Sequence, residues 1–292
     1  MTFSKSLNEL LAIAKLDSVA LEKLIRIAIA EDLAGATDVT SVATIPENQS
    51  AVAEFRSRKS GVIAGIPAVC AVLEICGITE YEINKSDGEV VSENSLLLTA
   101  KGETRALLLA ERSALNFIGR LSGIATLTKS WVDEVADTKS EIRDTRKTTP
   151  GLRELEKYAV RMGGGKNHRF SLSDAALIKD NHVLAAGGVA QAFKLVKEKF
   201  PNLPLEVEVD SLQQLREVIE AGAELVLLDN MTIEECRTAV EIVSGRAKLE
   251  ASGGLILSNA HAYAKTGVDY LAVGALTHSA PVLDIGLDLR ME

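Results

Sequence analysis

The residues that point most directly to chemistry form a concentration of positive charge between Arg143 and His182. This stretch holds nine lysine and arginine residues and five acidic residues, whereas the whole chain of 292 residues has a net charge of -9. A basic island in an acidic protein indicates a local anion-binding site, although a solvated basic surface explains the charge equally well. The negative total argues against general nucleic-acid binding.

Charged side chains also stand where short apolar runs end. Arg146 and Lys147 follow one run, Lys179 follows the next, and Glu208 and Asp229 fall at the ends of two later runs. Such cations bind carboxylates or phosphates, and arginine does so with a fixed fork of donors. The two carboxylates would hold Mg²⁺ or accept hydrogen bonds from sugar hydroxyls.

Small residues follow two further apolar runs, at Ser252-Gly253-Gly254 and at Gly274. Backbone N–H groups in such loops can surround a phosphate at the start of a helix. With Arg169 as an additional cation, the pattern predicts a site for an anionic small molecule and a sugar phosphate. The sequence has no P-loop, dinucleotide-fold or nucleophile-elbow motif.

Parallel βα units are needed to bring these residues together. After about residue 140, short apolar strands alternate with amphipathic helices, and the later strands recur about every twenty residues. The carboxyl ends of parallel strands meet at one edge, where loops build the active sites of α/β proteins. Because the region is short for eight strands, we expect an incomplete α/β barrel, with an open doubly wound sheet as the alternative.

The residue pattern in the first part of the chain predicts an α+β arrangement. Residues 1–30 have helical periodicity, residues 51–58 alternate as a strand, and residues 103–137 form a long helical stretch with a candidate break near Ser122-Gly123. The longest uncharged apolar stretch is shorter than the ~20 residues of a membrane span. Three cysteines without paired spacing, and no signal-peptide pattern, favour a cytoplasmic protein.

Three segments, 144–153, 157–169 and 178–182, closely resemble the quinolinate phosphoribosyltransferase family. The resemblance continues through later segments and covers nearly the whole chain. It implies an N-terminal α/β sandwich domain over 1–118 and a C-terminal incomplete α/β barrel of the type II phosphoribosyltransferase kind over 119–278. A C-terminal segment, 279–292, is then expected to pack back on the first domain.

The resemblance also implies an activity. The expected reaction transfers phosphoribose from phosphoribosyl pyrophosphate to quinolinate with decarboxylation, giving nicotinate mononucleotide, pyrophosphate and CO₂ in NAD biosynthesis. Mg²⁺ is the expected cofactor. The expected assembly is a homodimer or a higher oligomer, with the site at an interface.

Site residues follow from the resemblance position by position. The expected quinolinate-binding residues are Arg112 (from a neighbouring subunit), Arg146, Lys147, His168, Arg169 and Lys179. Those expected around phosphoribosyl pyrophosphate are Glu208, Asp229, Ser252, Gly253, Gly254 and Gly274. Thr145, Val273 and Ala275 are also expected to bind substrate. Lys147, Lys179, Glu208 and Asp229 are the expected catalytic residues, and Glu208 and Asp229 the expected Mg²⁺ ligands, directly or indirectly.

Other functions stay open at this point. A related phosphoribosyltransferase would use a different acceptor, either nicotinate or the substrate of a relative associated with molybdenum transport. A Schiff-base lyase would use Lys179 as its amine. A non-enzymatic binding protein is disfavoured, because gathering so many charges at one site costs free energy without a function.

Overall fold

The computed structural model describes residues 3–291 and divides into two compact units. The N-terminal unit comprises residues up to 127, residues 149–164 and residues from 280 onward, and the C-terminal unit comprises 128–148 and 165–279. The boundaries expected at residues 118 and 278 stay predictions. In the described part of the chain, no helix has the length and apolar character needed to cross a membrane.

The helices and strands are numbered separately along the chain. The helices are α1 (Lys5–Ala14), α2 (Ser18–Leu33), α3 (Val39–Thr44), α4 (Ile66–Ile75), α5 (Thr104–Glu134), α6 (Arg153–Met162), α7 (Asp180–Ala186), α8 (Val189–Lys199), α9 (Leu212–Glu220), α10 (Ile233–Val243), α11 (Leu257–Ala264) and α12 (Ala275–His278). The strands are β1 (Ser50–Ser57), β2 (Gly61–Val62), β3 (Glu80–Ile83), β4 (Val90–Val91), β5 (Leu96–Glu103), β6 (Glu141–Arg143), β7 (Ala176–Ile178), β8 (Leu205–Val209), β9 (Leu225–Asp229), β10 (Lys248–Ser252), β11 (Tyr270–Ala272) and β12 (Ile285–Met291).

An antiparallel sheet of order β12-β1-β5-β3 forms the N-terminal unit together with packed helices. Strand β1 alternates as its sequence predicts, and Ala51, Ala53 and Phe55 are fully buried. Helices α1 and α2 both pack on α4, which is the most apolar helix of this unit. The last strand, β12, pairs antiparallel with β1 along its whole length. The chain terminus thereby completes the first sheet.

Helix α5 runs without interruption from Thr104 to Glu134, so the break considered near Ser122-Gly123 does not occur. Both residues instead lie where another segment of the chain approaches the helix closely. Ser122 exchanges hydrogen bonds with the backbone of Ala64. A Cβ atom on Gly123 would lie 2.0 Å from the carbonyl oxygen of Pro281, so only glycine allows this approach.

Six parallel strands form the sheet of the C-terminal unit, in the order β6-β11-β10-β9-β8-β7. Strand β6, the first of these six in the chain, pairs with β11, the last of them. The other neighbours in the sheet are consecutive in the chain. This is the cyclic order of an α/β barrel that lacks a strand pairing between β6 and β7. In a doubly wound sheet the order of the strands reverses in the middle of the sheet. This sheet has no such reversal, so the doubly wound alternative is wrong. The predicted α/β class, with an N-terminal sheet domain and a parallel C-terminal domain, is confirmed.

Candidate active site

A cavity of 560 Å³ opens at the carboxyl ends of the parallel strands in the C-terminal unit. Eleven of the sequence-predicted residues line it together: Thr145, Arg146, Lys147, His168, Arg169, Lys179, Glu208, Asp229, Ser252, Gly253 and Gly254. Most of them come from the ends of β6 to β10 or from the loops that directly follow, whereas His168 and Arg169 lie between α6 and β7. The expectation that strand ends gather these side chains is therefore met by the geometry of one cavity.

Two half-buried arginines form the most unusual part of the cavity wall. The Nε atoms of Arg146 and Arg169 are both buried, and neither has a hydrogen-bond partner within residues 3–291. Arg169 uses one Nη atom to donate to the carbonyl oxygen of Ala175 at 3.1 Å. Burial, and secondly the charge of Arg146, lower the pKa of the Arg169 guanidinium. Desolvated cations held close together favour the binding of an anion with more than one negative charge.

An ion pair crosses two neighbouring strands at the cavity. Lys179 directly follows β7, and its Nζ atom lies 2.7 Å from Oε2 of Glu208 on β8. The lysine side chain is about half exposed, whereas that of Glu208 is nearly buried. An incoming carboxylate therefore competes with Glu208 for the Lys179 ammonium group.

The loop after β10 has a backbone that requires glycine. Gly253 has φ +85° and Gly254 has φ +61°, both in the left-handed region. A Cβ atom on Gly253 would lie 2.1 Å from Oδ1 of Asn230, whose Nδ2 atom donates to Asp229. The close approach of loop and amide explains the glycine and leaves the backbone accessible to a phosphate before α11.

Gly274, after β11, adjoins the lysine side of the cavity. A Cβ atom there would lie 3.0 Å from Cδ of Lys147 and 3.2 Å from Nε2 of His278. The hydroxyl of Thr277 donates to the Lys147 carbonyl oxygen at 2.8 Å and anchors this turn. Neither Gly274 nor its neighbours in the chain, Val273 and Ala275, line the cavity.

Arg112 lies outside this cavity, as its predicted role requires. It is an exposed residue of α5 and belongs to the N-terminal unit. Its expected contact is with the site of a neighbouring subunit, so the contact stays a prediction.

His168 is buried, and both of its ring nitrogens are engaged. Its Nδ1 atom accepts a hydrogen bond from the backbone N–H of Arg169 at 2.7 Å, and its Nε2 atom lies 2.7 Å from Oε2 of Glu206. An accepting Nδ1 needs a lone pair, so the ring proton resides on Nε2 and the imidazole is neutral. Direct contact between His168 and substrate stays a prediction.

Sequence reasoning did not commit to five further residues that line the cavity: Leu177, Leu227, Asn230, Glu250 and Ala272. For Asn230 and Glu250 the available signal was a polar residue at the end of an apolar run. The three apolar residues carried no such signal, because they resemble every other core position.

Comparisons with known proteins decide the family. Family models for the N-terminal and C-terminal domains of quinolinate phosphoribosyl transferase match residues 38–122 and 124–288. The chain belongs to the quinolinate phosphoribosyltransferase family. A nicotinate-nucleotide pyrophosphorylase (carboxylating) of Mycobacterium leprae is 51% identical over 271 residues, which cover 91% of this chain and 95% of the relative. A probable nicotinate-nucleotide pyrophosphorylase of Bacillus subtilis is 40% identical, over 94% of this chain and 96% of the relative.

A solved structure supports the same membership. The nicotinate-nucleotide pyrophosphorylase of Francisella tularensis has a TM-score of 0.91 and 38% identity, covering 95% of this chain and 99% of that one. The activity of the chain is quinolinate phosphoribosyl transfer, which forms nicotinate mononucleotide in NAD biosynthesis. Both the Schiff-base lyase and the non-enzymatic alternatives are thereby wrong.

Glu250 provides a stability test of the cavity floor. It is fully buried and contacts Nη1 of Arg143. The pKa of Glu250 is raised from an ordinary 4.5 to about 8. Burial is the largest cause, and the negative charges of Glu206 and then Asp144 add to it, whereas Arg143 acts in the opposite direction. A raised carboxyl pKa stabilises the fold at low pH, and this contribution is lost as the pH rises towards 8.

Replacing Glu250 with glutamine removes that dependence. We expect the melting temperature of Glu250→Gln, relative to the unmodified protein, to increase steadily between pH 5 and pH 8. Thermal unfolding at matched ionic strength measures the difference, with the same change at the exposed Glu241 as the control. A relative melting temperature that falls over this range would contradict the raised pKa.

Proposed function

We propose that the cavity at the strand ends is where phosphoribose passes from phosphoribosyl pyrophosphate to quinolinate. The observation that carries this assignment is the pairing of Arg146 and Arg169, two half-buried arginines whose buried Nε atoms have no hydrogen-bond partner within residues 3–291. They face the same cavity as two carboxylates and a glycine loop. These features match an acceptor with two carboxylates and a donor with a sugar and phosphates.

The cationic side of the cavity binds the acceptor. Arg146, Arg169 and Lys179 hold the two adjacent carboxylates of quinolinate and orient its ring nitrogen, while Lys147 adds positive charge at the cavity edge. Arginine suits this task because its planar fork fixes a carboxylate in orientation as well as position. Binding therefore selects a dianion and positions the nitrogen for attack.

The acidic side of the cavity serves the transfer step. The ring nitrogen of quinolinate forms a bond to C1 of the ribose while the bond from C1 to the pyrophosphate oxygen breaks. Positive charge develops on the ribose in this transition state. Glu208 and Asp229, on neighbouring strands, stabilise that charge and accept hydrogen bonds from the ribose hydroxyls.

The donor set also fits Mg²⁺. Glu208 and Asp229 offer carboxylate oxygens at one edge of the sheet, and Mg²⁺ is usually held by one or two carboxylates together with substrate phosphates. These two residues would hold the ion, directly or through water. When bound, Mg²⁺ neutralises charge on the departing pyrophosphate.

Phosphate binding falls to the loops after β10 and β11. Ser252, Gly253 and Gly254 present backbone N–H groups for the 5-phosphate, and Gly274 does so from the next strand. Val273 and Ala275 flank Gly274 in the chain, and Thr145 lies after β6, the strand that pairs with β11; we assign these three residues to substrate binding as well.

Decarboxylation follows from the new bond to nitrogen. The ring nitrogen becomes positively charged, so the C2 carboxylate can leave as CO₂ and its electron pair stays at C2, stabilised by that nitrogen. A proton then has to reach C2. Lys147 or Lys179 supplies it, and no separate organic cofactor is required.

The assembly and location extend this proposal. We assign a homodimer or higher oligomer in which Arg112 of one subunit reaches the quinolinate site of another. The cytoplasm is the proposed location, based on the three cysteines without disulfide spacing.

The acceptor assignment predicts the outcome of a product assay. Purified protein with Mg²⁺ and phosphoribosyl pyrophosphate is offered either quinolinate or nicotinate, and nicotinate mononucleotide and CO₂ are followed. We expect product and equimolar CO₂ with quinolinate and no turnover with nicotinate, because one carboxylate leaves the arginine pair incompletely neutralised. Turnover of nicotinate alone would reverse the acceptor assignment while preserving the sugar-phosphate site.

The shared site predicts complementation between two inactive variants. Arg112→Ala and Lys179→Ala should each lose most activity, since each lacks one acceptor cation. After subunit exchange, mixed dimers contain one site in which both residues are intact. We expect about a quarter of the unmodified activity in an equal mixture at full exchange, if one in two subunit pairs is mixed and each has one working site.

Exchange itself is verified with differently tagged subunits. The matched control mixes Lys179→Ala with Arg146→Ala, two changes in the same cavity, which should recover nothing if each subunit supplies that whole cavity. Demonstrated exchange without recovery in the first mixture would contradict the role assigned to Arg112.

A further inference from the structure

Three buried residues at the cavity form a connected hydrogen-bonded group: His168, which lines the cavity, and Asp144 and Glu206, which do not. We propose that this group, here called the buried relay, positions Arg146 and Arg169 for the acceptor, and that His168 acts in it as a neutral connector. The proposal rests on the function proposed for the cavity. It assigns positioning roles to Asp144 and Glu206, and an indirect role to His168.

Asp144 joins the two chain segments that carry the arginines. Its Oδ1 atom accepts from the backbone N–H of His168 at 2.8 Å, and its Oδ2 atom accepts from Nδ2 of Asn167 at 2.6 Å. Arg146 lies two residues after Asp144, and Arg169 directly follows His168. A single buried carboxylate therefore holds the two segments together at the point where like charges would drive them apart.

His168 continues the connection from the backbone to the next strand. Its Nδ1 atom accepts the backbone N–H of Arg169, and its Nε2 atom donates to Glu206 on β8. Each hydrogen bond fixes one edge of the ring. The ring therefore fixes the main chain of Arg169 relative to β8, the strand that also carries Glu208.

A metal site is the competing interpretation of this cluster. Ligand atoms of His168, Glu206 and Glu250 lie within 4.8 Å of one another, as a metal would require. A metal on Nε2 would move the ring proton to Nδ1, which would then face the N–H of Arg169 across 2.7 Å. Two donors cannot share that contact. The observed hydrogen bond therefore favours the relay over a metal.

A second ionic layer lies beside the relay. Arg143 contacts Glu250, and its guanidinium stacks 4.6 Å from the ring centre of Tyr270 on β11. Oε1 of Glu250 lies 3.5 Å from Nε2 of His168, farther than the hydrogen-bonding oxygen of Glu206. Glu206 is therefore the acceptor on which the His168 orientation depends.

Steady-state kinetics of Glu206 variants test the relay. Glu206→Leu removes the acceptor at similar size, and we expect it to raise the KM for quinolinate about tenfold, as loss of a partner for a buried donor does. The KM for phosphoribosyl pyrophosphate should stay within about twofold, because the phosphate loops do not depend on His168. Glu206→Gln keeps an oxygen that accepts from Nε2, and should restore the KM for quinolinate to within about threefold of the unmodified value.

Glu217→Leu, a matched change at an exposed helical position, is the control. An unchanged KM for quinolinate in folded Glu206→Leu, or equal rises in the KM of both substrates, would overturn the proposal. If Glu206→Leu does not fold, the KM of Glu206→Gln for quinolinate and the tautomer of His168 test the proposal instead. Restoration by glutamine is the readout that a general loss of packing would not produce.

Nitrogen-15 NMR of labelled histidines reads the tautomer without any assay of activity. The chain has four histidines, and the His168 signals are identified by their loss in His168→Gln. We expect a protonated Nε2 and an unprotonated Nδ1 at neutral pH. A protonated Nδ1 would overturn the relay. Inactivity of the unmodified enzyme towards quinolinate, with this tautomer present, would instead overturn the function proposed for the cavity.

Discussion

Electrostatic repulsion between Arg146 and Arg169 is the constraint around which the cavity of the C-terminal unit is organised. The like charges of the two arginines disfavour each other. Burial first, and the charge of Arg146 second, lower the pKa of the Arg169 guanidinium. Buried carboxylates beneath them, above all Asp144, hold the two segments in place through hydrogen bonds. A ligand with two carboxylates neutralises the pair. On the proposed function, quinolinate binds because its two carboxylates offset the repulsion between Arg146 and Arg169.

Barrel topology supplies the second half of the site. Because the strands are parallel and follow one another around the sheet, Glu208 on β8 and Asp229 on β9 are placed at neighbouring strand ends. The glycine loop after β10 comes next in the same order. Lys179 after β7, the carboxylates of Glu208 and Asp229, and the glycine loop after β10 thus follow one another along the strand order.

Much of this organisation is predictable from sequence because strand ends have a readable pattern. Apolar runs that stop at Lys179, Asp229 or Ser252 mark both the strands and the cavity. Features that depend on contacts between distant segments are not readable in this way. The neutral state of His168 requires knowing what faces each ring nitrogen, and Gly123 looks like a helix break until Pro281 is found against it. Glu250 likewise looks like a site carboxylate, whereas its contact with Arg143 and its burial make it part of the floor.

A crystal structure of the enzyme with quinolinate tests the central claim most directly. We expect both carboxylates to lie within hydrogen-bond distance of the Arg146 and Arg169 guanidinium groups, with the ring nitrogen directed towards Glu208 and Asp229. We also expect His168 to keep its hydrogen bonds to Glu206 and to the Arg169 backbone. Quinolinate bound with its carboxylates away from both arginines would contradict the account.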